Sequence, residues 1–329
     1  MAAAHEGLWC RIGRFSLFIN TNLYVSPFGG NLLSFSPPNL SSYAKRVLTV
    51  MEASTGTAFQ SEPTLEMAAE IETRLQLNPD YTKRIGNFGF LELEESWGDE
   101  ATIINTARIS TTNKRVNSLD AFTDKERTLL HYLLAHNHGT PFETVHFRFR
   151  VVAPIFVLRQ WMRHRICSFN EFSQRYRMPI TAFYVPDQEA RTVDGFEVLS
   201  QESVERYCEL VESMHRFYHD EYQQVCTRIE AAEQAGLVEK TAGSRNPYRA
   251  RARELLRNAM PVSTYSDLYW TINFRALMNF FELRRKANAQ YEIRAYADAA
   301  YEMFCKKMPL LGETMNRVLE ERAKMGEQA

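Results

Sequence analysis

The chain is predicted to adopt an α+β fold, a sheet core flanked by long helices, on two observations. Short alternating or β-rich stretches recur far apart, near 88–97, 145–151 and 268–273. Helical periodicity fills much of the remainder, with one long run over 197–235. No G-x-G-x-x-G turn occurs, so a dinucleotide, if bound, is not held by a Rossmann turn.

Residues 1–50 stand apart in composition. They hold one acid, Glu6, against Arg11, Arg14, Lys45 and Arg46, and are rich in Ser, Asn, Pro and Gly. Organelle transit peptides look like this, and so does an upstream extension with no fold of its own; the working fold is expected as a single domain over 51–329. Leu65, Ala68, Ala69, Ile71 and Leu75 predict a short helix over 65–77. Phe88–Trp97 alternates as a strand, and Gly98-Asp99 caps a helix running through Ala107. Thr123-Asp124 signals the next helix start, with Leu129, Leu130, Leu133 and Leu134 as its apolar stripe and a stop at 137–139.

The turn His138–Glu143 leads into a half-buried strand. Val145, Phe147, Phe149 and Val151 face one way, and His146, Arg148 and Arg150 the other. Pro154 opens a helix over Ile155–Arg163 with Ile155, Leu158, Trp161 and Met162 inward. Phe183–Val185 predicts an edge strand, Glu197–Ala235 a long helix and Tyr248–Ala259 another. Leu268–Asn273 has strand character and runs into a continuous helical pattern reaching Phe304.

A formal net charge of −1 argues against a dedicated nucleic-acid binder and requires any arginine site to be local. The five cysteines show no C-x-x-C pair and no metal-ligand spacing, so free thiols in a reducing compartment are expected, with no metal. His215 and His219 stand at i and i+4 beside Asp220, a spacing that can chelate, but no third ligand follows; an exposed amphipathic face is the simpler reading. No apolar run approaches the ~18 residues of a membrane helix, so a soluble, cytoplasmic protein is expected, or an organellar one if residues 1–50 act as a transit peptide.

The densest chemistry is Arg163–Tyr176, RHRICSFNEFSQRY. Cations, a carboxylate, an amide and hydroxyls alternate there with Ile166, Cys167, Phe169 and Phe172, in neither a helix stripe nor a strand alternation. Three consecutive potential cations repel one another, and their apolar neighbours argue against a fully wet surface, so an anion is expected among them. Asn273, Arg275, Asn279, Arg284 and Gln290, set among Leu277, Met278, Phe280, Phe281 and Leu283, read as further ligand contacts. On the residues alone three alternatives stay open: a solvated basic turn, a nucleotide- or RNA-binding protein using Arg148 and Arg150, and a metal hydrolase built on His215 and His219.

Arg163–Tyr176 matches the RHRxxSxNExSxRY signature of the flavin-dependent thymidylate synthases at every specified position. HGTPFE at His138–Glu143 resembles the family's H-x-TPFE turn, PIFVLRQWMRHR its helix, and WTINFRALMNFFELR with Asn288-Ala289-Gln290 its C-terminal ligand helix. The resemblance covers roughly 88–310 and implies the thymidylate synthase-complementing fold, an antiparallel β-sheet core flanked by long helices, assembling as a homotetramer. It implies methylation of dUMP to dTMP with 5,10-methylenetetrahydrofolate as carbon donor, FAD as redox carrier and NADPH as reductant, with small molecules rather than nucleic acid or membrane as partners.

Carried over by position, Gln160, Trp161, Met162, Arg163, Glu171, Phe172, Ser173, Gln174, Arg175, Arg257 and Arg284 are expected on dUMP, with Ser173 and Arg175 at its phosphate and Arg284 as the catalytic cation beside the pyrimidine. Ser110, Thr140, Arg163, His164, Arg165, Glu171, Asn273, Phe274, Arg275 and Asn279 are expected on FAD, and His138 near the flavin ring and folate. Cys167 falls at an unspecified position, and the family mechanism uses no enzyme nucleophile. Asn288 departs from the pattern where histidine is suggested, and Gly139 fills a variable place, a substitution expected to matter little.

Overall fold

The computed structural model describes residues 8–12, 15–19, 77–112, 114–240 and 246–326. The chain divides into two compact units, 1–76 and 77–329. In the first, strands β1 (Leu8–Ile12) and β2 (Phe15–Ile19) pair as an antiparallel hairpin within the stretch set aside as an extension. The helix expected over 65–77 lies outside the described residues, apart from Leu77.

The second unit is built on a five-stranded antiparallel sheet in the order β3 (Thr82–Ile85), β4 (Gly89–Trp97), β5 (His146–Pro154), β9 (Tyr265–Asn273), β6 (Ser168–Glu171). The α+β expectation therefore holds, and the sheet is antiparallel. Period-two alternation sorts the faces. Leu91 pairs with Val151 and Phe149 with Trp270 in register, and these residues, with Leu93, Phe147, Leu268 and Ile272, are buried on one face. Helices α3 (Ile155–Trp161), α6 (Phe274–Arg284) and α7 (Tyr291–Lys307) cover that face. The opposite face carries Arg150 paired to Asp267 at 2.7 Å and Arg148 to Glu94 and Glu95 at 3.1 and 3.2 Å. The two arginines on this face are therefore each paired with carboxylates.

Helix α1 (Glu100–Arg108) starts at Asp99 and α2 (Asp124–Ala135) at Thr123, each with a reciprocal capping box. The long helix α4 (Gln201–Gln234) begins later than expected, because 192–197 fold into a small hairpin of β7 (Thr192–Val193) and β8 (Phe196–Glu197). Its turn residues Asp194 and Gly195 are both left-handed, φ 50° and 80°, the conformation that a two-residue Asp-Gly turn favours. Helix α4 packs along α5 (Pro247–Leu256), which ends in a single 3-10 turn, Arg257–Ala259.

Two expectations need correction, and one helix has no counterpart in the sequence reading. The predicted edge strand at 183–185 is one bridge, Phe183 to Thr264, because Pro186 follows at once and offers no amide. The helical run from 274 to 304 breaks over 285–290, where no large apolar side chain remains to hold a helix on the sheet; α6 and α7 then pack against each other. A further helix, α8 (Pro309–Gly326), follows and packs on α2 and α7.

Candidate active site

The signature begins where α3 ends. Met162 N–H donates to the Leu158 carbonyl at 2.9 Å and His164 N–H to the Trp161 carbonyl at 3.0 Å, closing a tight turn. Ser168–Glu171 then forms β6, paired to β9 with Phe169 opposite Trp270. This corrects the expectation that the signature has no strand: four polar-rich residues carry no alternation of their own, and the ladder that orders them comes from β9, a hundred residues away.

The three successive potential cations are not equivalent. Arg163 and Arg165 are exposed, while His164 is only 8% exposed, turned inward with its ring edge-on to Phe280 at 4.9 Å. Arg284, at the end of α6, donates Nε–H to His164 Nε2 at 2.9 Å and Nη2–H to the Gln160 carbonyl at 3.2 Å. An arginine only donates, so His164 Nε2 accepts and the ring proton sits on Nδ1. Burial, and next the Arg284 charge, bring the His164 pKa down to about 4. The expected repulsion is thus relieved within the chain, because the middle group is neutral.

Arg284 itself is half-buried, and desolvation lowers its pKa from the usual arginine value. Among the described residues no carboxylate lies within 4.0 Å of it. Its neighbour Arg285 is in contrast paired with Asp298 at 2.7 Å and stacked 3.6 Å over Tyr301. A guanidinium fixed by a neutral acceptor and lacking a counter-charge is set up to meet an electron-rich ligand. Gln160 is hydrogen-bonded to Gln290, so α3, α6 and the start of α7 meet at this point.

The far end of the signature is held by α5. Arg175 Nε pairs with Glu254 at 2.6 Å, and buried Arg253 donates Nε–H to the Arg175 carbonyl at 2.8 Å and Nη1–H to Tyr222 Oη at 2.6 Å. Arg253 and Glu254 escaped the sequence reading. One signal existed: Arg249, Arg253 and Leu256 share a helix face at i, i+4 and i+7, so burying that face draws Arg253 inward. Glu171 accepts from the Ser266 hydroxyl at 2.7 Å, and Ser173 caps the turn into Tyr176 and Arg177 through its carbonyl, 3.2 Å from both amides.

The third part is the His138–Glu143 turn. His138 stacks on Tyr132 at 5.5 Å. Arg275, ion-paired to Glu143, lies over Gly139 so closely that a Cβ built there meets its Nε at 2.6 Å. A side chain at Gly139 would require the flexible end of Arg275 to shift. Arg275 and Asn279 line a cleft of about 180 Å³ beside this turn.

Other expected contacts fall elsewhere. Trp161 and Phe274 have no exposed surface; Trp161 stacks on Phe280 at 5.1 Å and Phe274 on Phe304 at 4.9 Å, so their side chains support the site from behind and only their main chains can line it. Asn273 is the N-cap of α6, its side chain accepting from Ala276 N–H at 2.9 Å. Ser110, Arg257 and Asn288 are exposed and make none of these contacts. Cys167 donates to the His164 carbonyl at 2.8 Å, and burial pushes its thiol pKa up, the wrong direction for a nucleophile. His215, read as part of an exposed face, instead packs inward, 3.2 Å from Thr264 Oγ1. Among the described residues no group of three His, Cys, Asp or Glu side chains gathers as a metal site.

The model of the thymidylate synthase complementing protein family matches residues 92–310. A flavin-dependent thymidylate synthase from Thermosipho africanus is 36% identical over 231 residues, 67% of this chain and 88% of that one. The chain belongs to the flavin-dependent thymidylate synthase family. As a member of that family it is an enzyme of the methyltransferase class. The flavin-dependent thymidylate synthase of Rickettsia conorii is 31% identical, spanning 70% of this chain and 76% of its own. Among solved structures, the UMP/dUMP methylase PolB from Streptomyces cacaoi bound with 5-Br dUMP is similar, with a TM-score of 0.54, 30% identity and coverage of 71% of this chain and 97% of that one. For the flavin-dependent thymidylate synthase fold, the matched span includes the signature, the His138 turn and Arg284, while most of α8 falls outside it.

Proposed function

We propose that this chain converts dUMP to dTMP by reductive methylation: dUMP, 5,10-methylenetetrahydrofolate, NADPH and a proton give dTMP, tetrahydrofolate and NADP⁺. The observation that carries the reading is Arg284, a half-buried cation without a carboxylate partner among the described residues, held by neutral His164. Beside a pyrimidine, such a fixed charge stabilises the negative charge that develops as C5 becomes nucleophilic. The Streptomyces neighbour, a UMP/dUMP methylase bound with 5-Br dUMP, supports a uridylate as the substrate.

The signature divides the work. Ser173 and Arg175 bind the nucleotide phosphate, for which Arg175 must exchange Glu254 for a phosphate oxygen; each charge-assisted bond of this kind contributes about 1.5–3 kcal/mol. Gln160, Arg163, Glu171 and Gln174 orient the nucleotide, with Met162 and Phe172 beside them. The donor set suits FAD: exposed Arg163 and Arg165 face its diphosphate, while Thr140, Arg275 and Asn279 hold it beside the cleft, with His138 close to the ring. Bound FAD supplies the hydride that reduces the transferred carbon. Ser110 and Arg257 are exposed, which fits a homotetramer in which subunits complete one another's sites. A cytoplasmic location, or an organellar one if residues 1–50 direct it there, completes the reading.

Purified protein is expected to show flavin absorption and to oxidise NADPH faster when dUMP is added. A colourless preparation that neither binds FAD nor responds to dUMP contradicts the reading.

A further inference from the structure

All but the first two residues of α8 lie beyond the span matched by the family model, yet this helix reaches the His138 turn. Its residues Met315, Val318, Leu319 and Arg322 form one wall of the cleft that Arg275 and Asn279 line from α6. Arg322 donates Nη2–H to the Leu134 carbonyl at 3.1 Å and to Asn137 Oδ1 at 2.7 Å, and its Nη1 faces Glu282 at 3.4 Å. The adjacent Glu321 meets His131 Nε2 at 2.9 Å.

These contacts close the end of α2. The last carbonyls of a helix lack the usual i+4 amide donor; the Leu134 carbonyl accepts from the Asn137 amide at 3.2 Å and takes Arg322 as a further donor. Asn137 stands in the left-handed region at φ 56°, which Asn tolerates better than other side chains, and Arg322 holds the amide that sits there. The next residues are His138, Gly139 and Thr140. The His138 amide returns to the Leu133 carbonyl at 2.9 Å, so the position of this turn follows from how α2 ends.

We propose that Arg322 is a positioning residue for the flavin side of the site: it caps α2 from outside the family core and thereby sets where His138 and Thr140 stand. The proposal rests on the FAD reading above. Arg322 itself need not touch cofactor or substrate, because its bonds go to the end of α2, to Asn137 and to Glu282.

The test uses the full-length apoprotein titrated with FAD, followed by flavin fluorescence, alongside dUMP binding by calorimetry and the thermal midpoint. Arg322→Met is expected to weaken FAD about tenfold, the scale of a lost helix cap. It should leave dUMP affinity as in wild type and lower the thermal midpoint by about 2–4 °C at most, the stability share of a lost cap, and Arg322→Lys should restore part of the FAD affinity. Wild-type FAD affinity in Arg322→Met overturns the proposal. So does a fall in dUMP affinity equal to the fall in FAD affinity, which marks a general loss of structure. A wild-type protein that binds dUMP but no FAD overturns the cofactor reading first, and the positioning role with it.

Discussion

Arg284→Met is expected to lower thymidylate formation about 10²–10³-fold while FAD remains bound, the effect of deleting one preorganised electrostatic group. The size follows from the setting. Arg284 is partly desolvated, lacks a carboxylate partner among the described residues, and is aimed by His164 Nε2 and the Gln160 carbonyl, so its charge needs little reorganisation when the reaction calls on it. Methionine keeps an unbranched stem and removes the charge. The check is kcat for dTMP formation with bound flavin measured by absorption in the same sample. Normal synthesis by the variant removes Arg284 from catalysis; loss of flavin together with activity assigns it to cofactor binding.

Acid is expected to destabilise the folded chain between about pH 6.5 and pH 4, largely through two imidazoles. Burial brings His164 and His215 each to about 4, whereas in the unfolded chain they titrate near 6.5. Between those values the unfolded chain binds more protons, so stability falls as pH drops, by up to about 3 kcal/mol per group, and above about 6.5 neither contributes a pH dependence. Glu92 and Glu100 act in the opposite sense just above the usual carboxylate range, since burial raises both and their protons stabilise the folded state. The sum is therefore best read as a difference. Urea midpoints of wild type and His215→Gln, at pH 7 and pH 5, should show a shallower acid loss in the variant. Equal slopes contradict the assignment to His215.

The elements legible in the sequence were those with their own periodicity or caps. Strand β5 alternates from His146 to Val151, and Thr123-Asp124 signals the start of α2, which the structure closes with a capping box. What escaped depended on a distant partner. Ser168–Glu171 is a strand only because β9 runs beside it. His164 is neutral only because Phe280 and Arg284 close over it, although its place between two arginines suggested a third charge. Helix α8 opens on Pro309 and carries Gly312 in its first turn, residues that weaken a helical reading of the sequence; Gly312 fits there because a Cβ would meet Cys305 Sγ at 2.8 Å.

The candidate site was legible as a residue list and illegible as an arrangement. Signature, turn and Arg284 could be named in order along the chain, but not that His164 aims Arg284, that Glu254 holds Arg175, or that Trp161 lies wholly behind the site. Each of these depends on which face of a helix the sheet claims. Sequence spacing restricts that choice without deciding it.

The central claim is that the signature and Arg284 together make thymidylate from dUMP. Its most direct measurement is chromatographic detection of dTMP from dUMP, 5,10-methylenetetrahydrofolate, NADPH and FAD, with each component omitted in turn. The account predicts dTMP only in the complete mixture, apart from residual turnover on flavin retained by the protein. No dTMP in the complete mixture, with protein shown to bind both FAD and dUMP, would contradict it.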